Sequence, residues 1–235
     1  MSNNTFPEGA ALLHNLFRGT NGELGAMFDL SNVPPKKREI ERKYEIGGRE
    51  GVDQRMTVVL SRMATLLEEK HLVVKRFQPF VGIDQYWILE LDGRKVTYRY
   101  RYSANVLSEL TVKAQIVTGQ NEQRAEFNLD LRDADVQSVR AFMSTVCGFV
   151  PGAKHFCITQ SGHFWKLLDT NGRSAEIVLY KVGLLKKEAS HVFCEIEARN
   201  FDKPEDAIAS IEEIEGTLGL SESRCDKSIA EIFGK

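Results

Sequence analysis

An α+β protein built on an antiparallel β-barrel, with helices packed outside it, is expected from three features of this 235-residue sequence. From about Leu72 onward most of the chain breaks into short alternating segments bounded by turn residues, as successive antiparallel strands do. Several of these segments carry charge on one face and large apolar or aromatic side chains on the other. Two other segments carry apolar residues at helical spacing and need an apolar surface to cover. The length suits one β-rich domain, and a composition of 42% apolar and 27% charged residues is enough to build its core.

Taken in order, residues 1–38 differ in character from the rest. A short apolar helix candidate (Leu12, Leu13, Leu16, Phe17) leads into a Gly/Asn-rich stretch and Pro34-Pro35, so this part is set aside as an N-terminal extension and residues 39–235 as the domain. Glu39 to Ile46 alternates as a strand, with Glu39, Glu41, Lys43 and Glu45 opposite Ile40, Arg42, Tyr44 and Ile46. Val52, Met56, Val59, Leu60, Met63, Leu66 and Leu67 form one helical stripe between Val52 and Lys70. Strands are then expected at Leu72–Phe77, Gln85–Leu91, Val96–Tyr102, Glu109–Gln115 and Arg124–Leu131, with Asp92-Gly93 as a hairpin turn. A second helix, capped by Asp133, has the stripe Val136, Val139, Phe142, Met143 and Val146 and ends before Pro151. Strands follow at His155–Thr159, His163–Leu168, Ala175–Val182 and Val192–Ala198. Two closing helices are expected at Pro204–Leu218, with Asp202 as cap, and Lys227–Phe233.

The charged faces carry the functional reading. Arg99 and Arg101 alternate with Tyr98, Tyr100 and Tyr102; Glu109, Thr111 and Lys113 with Leu110 and Val112; Arg124, Glu126, Asn128 and Asp130 with Phe127, Leu129 and Leu131; Glu195 and Glu197 with Cys194, Ile196 and Ala198. One such strand alone reads as a solvated face. In the set, however, the apolar faces are the ones the helices must cover, so the charged faces turn toward one another. Unpaired charge cannot be buried dry, and such an interior encloses water with ions or a charged ligand. Clustered carboxylates (Glu39, Glu41, Glu195, Glu197) repel unless divalent cations sit between them, and hard oxygen ligands suit Mg2+ or Mn2+. Lys43, Arg99, Arg101, Lys113 and Arg124 supply donors for phosphate oxygens. Metal with many cations implies a polyphosphate ligand.

The formal net charge of −2 gives the whole molecule no general attraction to nucleic acid or anionic lipid, so any polyanion is held locally. Cys147, Cys157, Cys194 and Cys225 have no C-x-x-C spacing and read as reduced thiols. No apolar stretch has the length of a membrane span, and Met1 to Leu13 has no basic leader before an apolar run, so a cytoplasmic location is expected. The five histidines show no metal-ligand spacing.

Glu39-Ile40-Glu41-Arg42-Lys43 resembles the E-x-E-x-K signature of the CYTH domains, or triphosphate tunnel metalloenzymes, which include inorganic triphosphatases, thiamine triphosphatases and class IV adenylate cyclases. R-x-R at Arg99 and Arg101, E-L-T-V-K at Glu109 to Lys113, R-x-E-x-N at Arg124 to Asn128, and E-x-E at Glu195 and Glu197 follow in the family's order. Leu218-Gly219-Leu220 and Lys227 to Glu231 are similar to its closing segment. The resemblance implies an eight-stranded antiparallel tunnel. It implies Glu39, Glu41, Glu195 and Glu197 as ligands for Mg2+ or Mn2+, and Lys43, Arg99, Arg101, Lys113 and Arg124 as the triphosphate site. Glu126 would position or deprotonate water, with Glu41 and Lys43 completing the catalytic set. The expected activity is metal-dependent hydrolysis of inorganic, nucleoside or other organic triphosphate. A class IV-type cyclase and a non-catalytic nucleotide- or polyphosphate-binding protein stay open, as do an RNA 5′-triphosphate end as substrate and a homodimer. Two positions depart from the pattern. Tyr180 stands where the family usually has an aspartate, with Glu176 four residues away, and Gln160 and Ser161 stand where basic residues are usual, leaving Lys154, His163 or Lys166 as substitutes.

Overall fold

The computed structural model describes residues 39–47, 50–91, 94–103, 106–115, 123–130, 152–170 and 172–234, with Gln137, Ala141, Ser144 and Thr145 as single positions. The extension 1–38, the stripe of the second expected helix, its cap Asp133 and Cys147 all lie outside the described residues; the four single positions within that helix are helical.

The sheet consists of β1 (Glu39–Glu45), β2 (Val73–Leu91), β3 (Arg94–Ser103), β4 (Val106–Gln115), β5 (Gln123–Asp130), β6 (Lys154–Leu168), β7 (Ser174–Leu184) and β8 (His191–Arg199). Every pairing is antiparallel, in the order β1-β5-β4-β3-β2-β6-β7-β8, and β8 returns to β1. The β1–β5 seam has two residue pairs, Glu39↔Arg124 and Ile40↔Gln123, against six along β1–β8. The architecture is therefore a strongly curled antiparallel sheet of eight strands with helices outside it, in line with the expected α+β tunnel, and its one short seam lies at β1–β5.

Two pairs of expected strands are single long ones. Leu72–Phe77, less its first residue, and Gln85–Leu91 are parts of β2, and His155–Thr159 and His163–Leu168 are parts of β6, the two pairing from Val73↔Leu168 to Ile88↔Lys154 with one register shift at Val74/Arg76. Pro79 and Gly162, which fall in the gaps between the expected strands, both lie within paired strand. Pro79 falls on the stretch of β2 that extends beyond the end of β3, where its missing N–H is tolerated at an edge. Gly162 is required by close approach: an ideal Cβ there would meet the Leu179 carbonyl oxygen and lie 2.6 Å from Tyr180 Cα on β7.

Helices α1 (Val52–Glu69) and α2 (Pro204–Leu218) cover the outside of β1, β7 and β8. The α1 stripe Met56, Val59, Met63 and Leu66 packs with Ala207, Ile211, Ile214 and Leu218 of α2 onto Ile177, Leu179, Cys194 and Ile196. Each fully buried side chain of this kind contributes roughly 1.5–3 kcal/mol. The first turn of α2 is set by Pro204 at its first positions with Lys203 as cap, not by the expected Asp202 side chain. Tyr44 and Arg42 point outward from β1 to Glu215 of α2, at 2.9 and 3.3 Å, and Arg224 adds a contact at 2.9 Å, so this buried carboxylate ties strand, helix and tail together.

The tail helix is shorter than expected. α3 (Ile229–Phe233) starts at Ser228, which forms a capping box with Glu231. Its Ile229 and Ala230 insert among Tyr86, Ile88, Ile158, Tyr180, Val182 and Phe193, all inward-facing positions of β2, β6, β7 and β8. The expectation of a charged interior along the whole barrel is thus corrected, because one end is an apolar plug and only the remainder is polar.

Gly162→Ala is expected to cost about 2 kcal/mol or more of stability in urea unfolding, since a backbone oxygen cannot yield as a flexible side chain does. Gly47→Ala, where the new methyl meets nothing within 4 Å, is expected to change stability by less than about 0.5 kcal/mol.

Candidate active site

Inward-pointing residues converge on one cavity of about 570 Å³, lined by Glu41 and Lys43 from β1, Arg99 and Arg101 from β3, Glu109 and Lys113 from β4, and Glu195 and Glu197 from β8. The strand period of two that places Glu41 and Lys43 inward places Arg42 and Tyr44 outward against α2. All of these but Glu109 are expected site residues, so seven of the expected set share the cavity. The side chains of Glu39, Arg124 and Glu126 lie outside what is described; the backbone register sets Glu126 opposite Lys113 and Arg124 opposite Gln115.

The cations are held by a network that sequence reasoning missed. Asp84 on β2 is fully buried and accepts two hydrogen bonds from Arg101, at 3.0 and 2.9 Å, and one from Gln160 at 3.0 Å. Arg99 approaches the same carboxylate at 4.0 Å and donates to Glu109 and Thr111 at 2.9 and 2.8 Å. Burial pushes the Asp84 carboxyl up, but the Arg101 and Arg99 charges outweigh it and hold it below the usual carboxylate range. Asp84, between the apolar Ile83 and the mostly apolar stretch Tyr86–Leu89, offered no periodic signal of its own.

The carboxylates show the opposite balance. Burial and the neighbouring Glu41 charge push Glu195 up against the pull of Lys43 and Lys113. Burial, with Glu176 and Glu41 beside it, lifts Glu197 to about 7 although Arg199 contacts it at 2.7 Å. Tyr180 lines the cavity and donates to Glu195 Oε1 at 2.8 Å. Glu176 also lines it, paired with Lys166 at 3.0 Å and Arg199 at 3.3 Å. None of the proposed basic substitutes lines the cavity: Lys154 binds the Gly234 carbonyl, His163 stacks on Phe77 at 5.7 Å on the outer face, and Lys166 is engaged by Glu176 at the cavity edge, while Gln160 itself lines the cavity. At the plug end the Lys43 ammonium donates to the Lys227 carbonyl just before α3.

Among the described residues, no three His, Cys, Asp or Glu side chains converge as a ready-made metal site. The donor set still fits a hard divalent cation in one mode, since Mg2+ is usually held through one or two carboxylates with the rest supplied by water and substrate phosphate. Glu41 and Glu195, whose charges oppose each other, are the pair suited to it. No helix among the described residues is long and apolar enough to cross a membrane.

No family model and no curated protein matches the sequence. Among solved structures, the chain is similar to the S. pombe Pct1 RNA triphosphatase at 11% identity and a TM-score of 0.37, over 90% of this chain and 87% of that one. The fold described above rests on the strand pairing and not on this likeness.

The pH dependence of stability follows from Glu197. Its folded pKa of about 7 lies above the ordinary 4.5, so its stabilising contribution is full below pH 4.5 and lost as pH rises through 7. Metal-free protein is expected to lose melting temperature over that window, and Glu197→Gln to flatten this part of the profile; an unchanged slope in the variant would place the titration elsewhere. Asp84→Asn, which leaves Arg101 short of its counter-charge, is expected to destabilise by about 2 kcal/mol or more at pH 7 in urea unfolding.

Proposed function

We propose that this chain is a metal-dependent hydrolase of a triphosphate substrate, of the triphosphate tunnel metalloenzyme type that its motifs resemble. The observation that supports this most is the meeting of Lys43, Arg99, Arg101 and Lys113 with Glu41, Glu195 and Glu197 in one cavity. Cations on one side suit phosphate oxygens and carboxylates on the other suit a hard metal ion.

In this reading Arg99 and Arg101, fixed by Asp84 and Glu109, present guanidinium forks to the phosphate chain without reorganising when it binds. Lys43 and Lys113 add point charges where negative charge builds on the leaving oxygen. Water attacks the terminal phosphorus, the new P–O bond forms as the bridging P–O bond breaks, and orthophosphate and diphosphate leave for a simple triphosphate. Glu126, opposite Lys113 in register, is the proposed group that orients or deprotonates that water. A bound Mg2+ or Mn2+, held by Glu41 and Glu195, with Glu39 and Glu197 as further proposed ligands, would polarise the phosphoryl oxygens. Arg124 remains a proposed phosphate contact.

A second reading, a binding protein without turnover, is favoured by one observation: Tyr180 engages Glu195 where a further carboxylate would strengthen a metal site. Phosphate release and product identification from inorganic triphosphate, ATP and thiamine triphosphate with Mg2+ or Mn2+ separate these readings. Expected are turnover that vanishes on chelation, a loss of about 100-fold or more in Glu41→Gln, and a raised KM in Lys113→Ala. Cyclic nucleotide from ATP would identify a cyclase, and ligand-protected melting without turnover would identify the binding protein.

A further inference from the structure

The triphosphate reading accounts for the cations and carboxylates of the cavity but not for an aromatic ring in its wall. Phe164 of β6 lines the same cavity, half-buried, and the guanidinium carbon of Arg76 on β2 lies over its ring at 5.8 Å from the centroid. Gln78, which pairs with Phe164 in the strand register, accepts from Arg76 Nη2 at 2.5 Å. A phosphate chain gains nothing from the negative face of a phenyl ring. An aromatic ring carrying a fixed planar cation is instead what a nucleobase stacks on.

The charges around Arg76 point the same way. Arg99, Arg101 and Arg199 each meet a carboxylate within the cavity wall, as Lys166 does beside it, whereas Arg76 has no carboxylate partner among the described residues. Its hydrogen bond to Gln78 and its place over Phe164 fix its plane rather than neutralise it.

Position completes the argument. The register runs from Phe164 to Val178, Glu195 and Lys43 on successive strands, so the ring stands three strand spacings, roughly 14 Å around the wall, from the nearest proposed phosphate-binding lysine on that row. Arg76 and Gln78 are exposed, while α3 fills the opposite end. A ligand with phosphates among the cations and a ring at the exposed side matches this order, with room between for a sugar.

We propose that Arg76, Gln78 and Phe164 form a stacking subsite for the planar base of a nucleoside triphosphate, so that the substrate class is nucleotide rather than simple polyphosphate; this deepens the triphosphate reading and rests on it. The full chain is tested with ATP and inorganic triphosphate in the presence of Mg2+ or Mn2+, reading kcat/KM, or Kd where there is no turnover. Wild type is expected to favour ATP. Phe164→Leu, which keeps the wall apolar, is expected to weaken ATP by roughly 5- to 150-fold and inorganic triphosphate by less than about twofold. Arg76→Lys, which keeps the charge but loses the plane, is expected to shift the preference in the same direction. Equal weakening of both ligands, no change in either, or a wild type that favours inorganic triphosphate overturns the subsite while leaving the triphosphate site standing. Failure of wild type to bind either ligand overturns both.

Discussion

Charge can line the inside of a small barrel only where each group is answered by another. Asp84 is the centre of that constraint. Fully buried on β2, it binds Nε and Nη2 of Arg101 from β3, faces Arg99, and binds Gln160 from β6. Removing one member of such a buried cluster costs on the order of 3–5 kcal/mol, because the other is left uncompensated. The same network therefore stitches three strands together and keeps two guanidinium groups aimed at the cavity. Glu215 serves the outside in the same way, gathering Arg42, Tyr44 and Arg224, so the strand bearing Glu41 and Lys43 is clamped to α2 and the tail.

What the sequence made readable follows from which signals are periodic. Glu41/Lys43, Arg99/Arg101, Glu109/Lys113 and Glu195/Glu197 recur every second residue, and a strand has no choice but to put such pairs on one face. The apolar stripes of α1 and α2 were legible for the same reason. Asp84 was not, because one buried acid beside a mostly apolar stretch has no period and declares itself only through partners on other strands. The continuity of β2 through Pro79 and of β6 through Gly162 was not legible, because edge position and the close approach of β7 are tertiary facts. Phe164 has no periodic signal in the sequence, and only the register that brings Gln78 beside it gives it a neighbourhood.

The plug was illegible for a further reason. Ile88, Ile158, Val182 and Phe193 are apolar on the inner face, a pattern that in sequence means only a strand covered on both sides. Their cover is the tail helix, reached from more than 30 residues further along the chain than Phe193. Filling one end with apolar side chains divides the interior into a dry half, which adds core to a thin-walled fold, and a polar half that must stay wet. Because Lys43 touches the Lys227 carbonyl at that boundary, the dry half also fixes where the polar half begins.

The polar half is held away from its own energetic minimum. The Glu41 charge raises the proton affinity of both Glu195 and Glu197, and burial with it lifts Glu197 to about 7 in spite of Arg199. A bound cation would remove that repulsion, so stability given up by the empty site would return as affinity for metal and its phosphate partner. Tyr180 narrows how this can happen. Its hydroxyl occupies Glu195 Oε1, which leaves Oε2 to turn toward a cation, and it brings no charge of its own at the pH where the carboxylates ionise, since burial and the Glu195 charge push its hydroxyl up. Under the proposed function, a site so arranged would have fewer anionic ligands to give and would draw more of the coordination from the phosphate chain itself. Metal and triphosphate would then bind most tightly together, each supplying what the wall around Tyr180 withholds from the other.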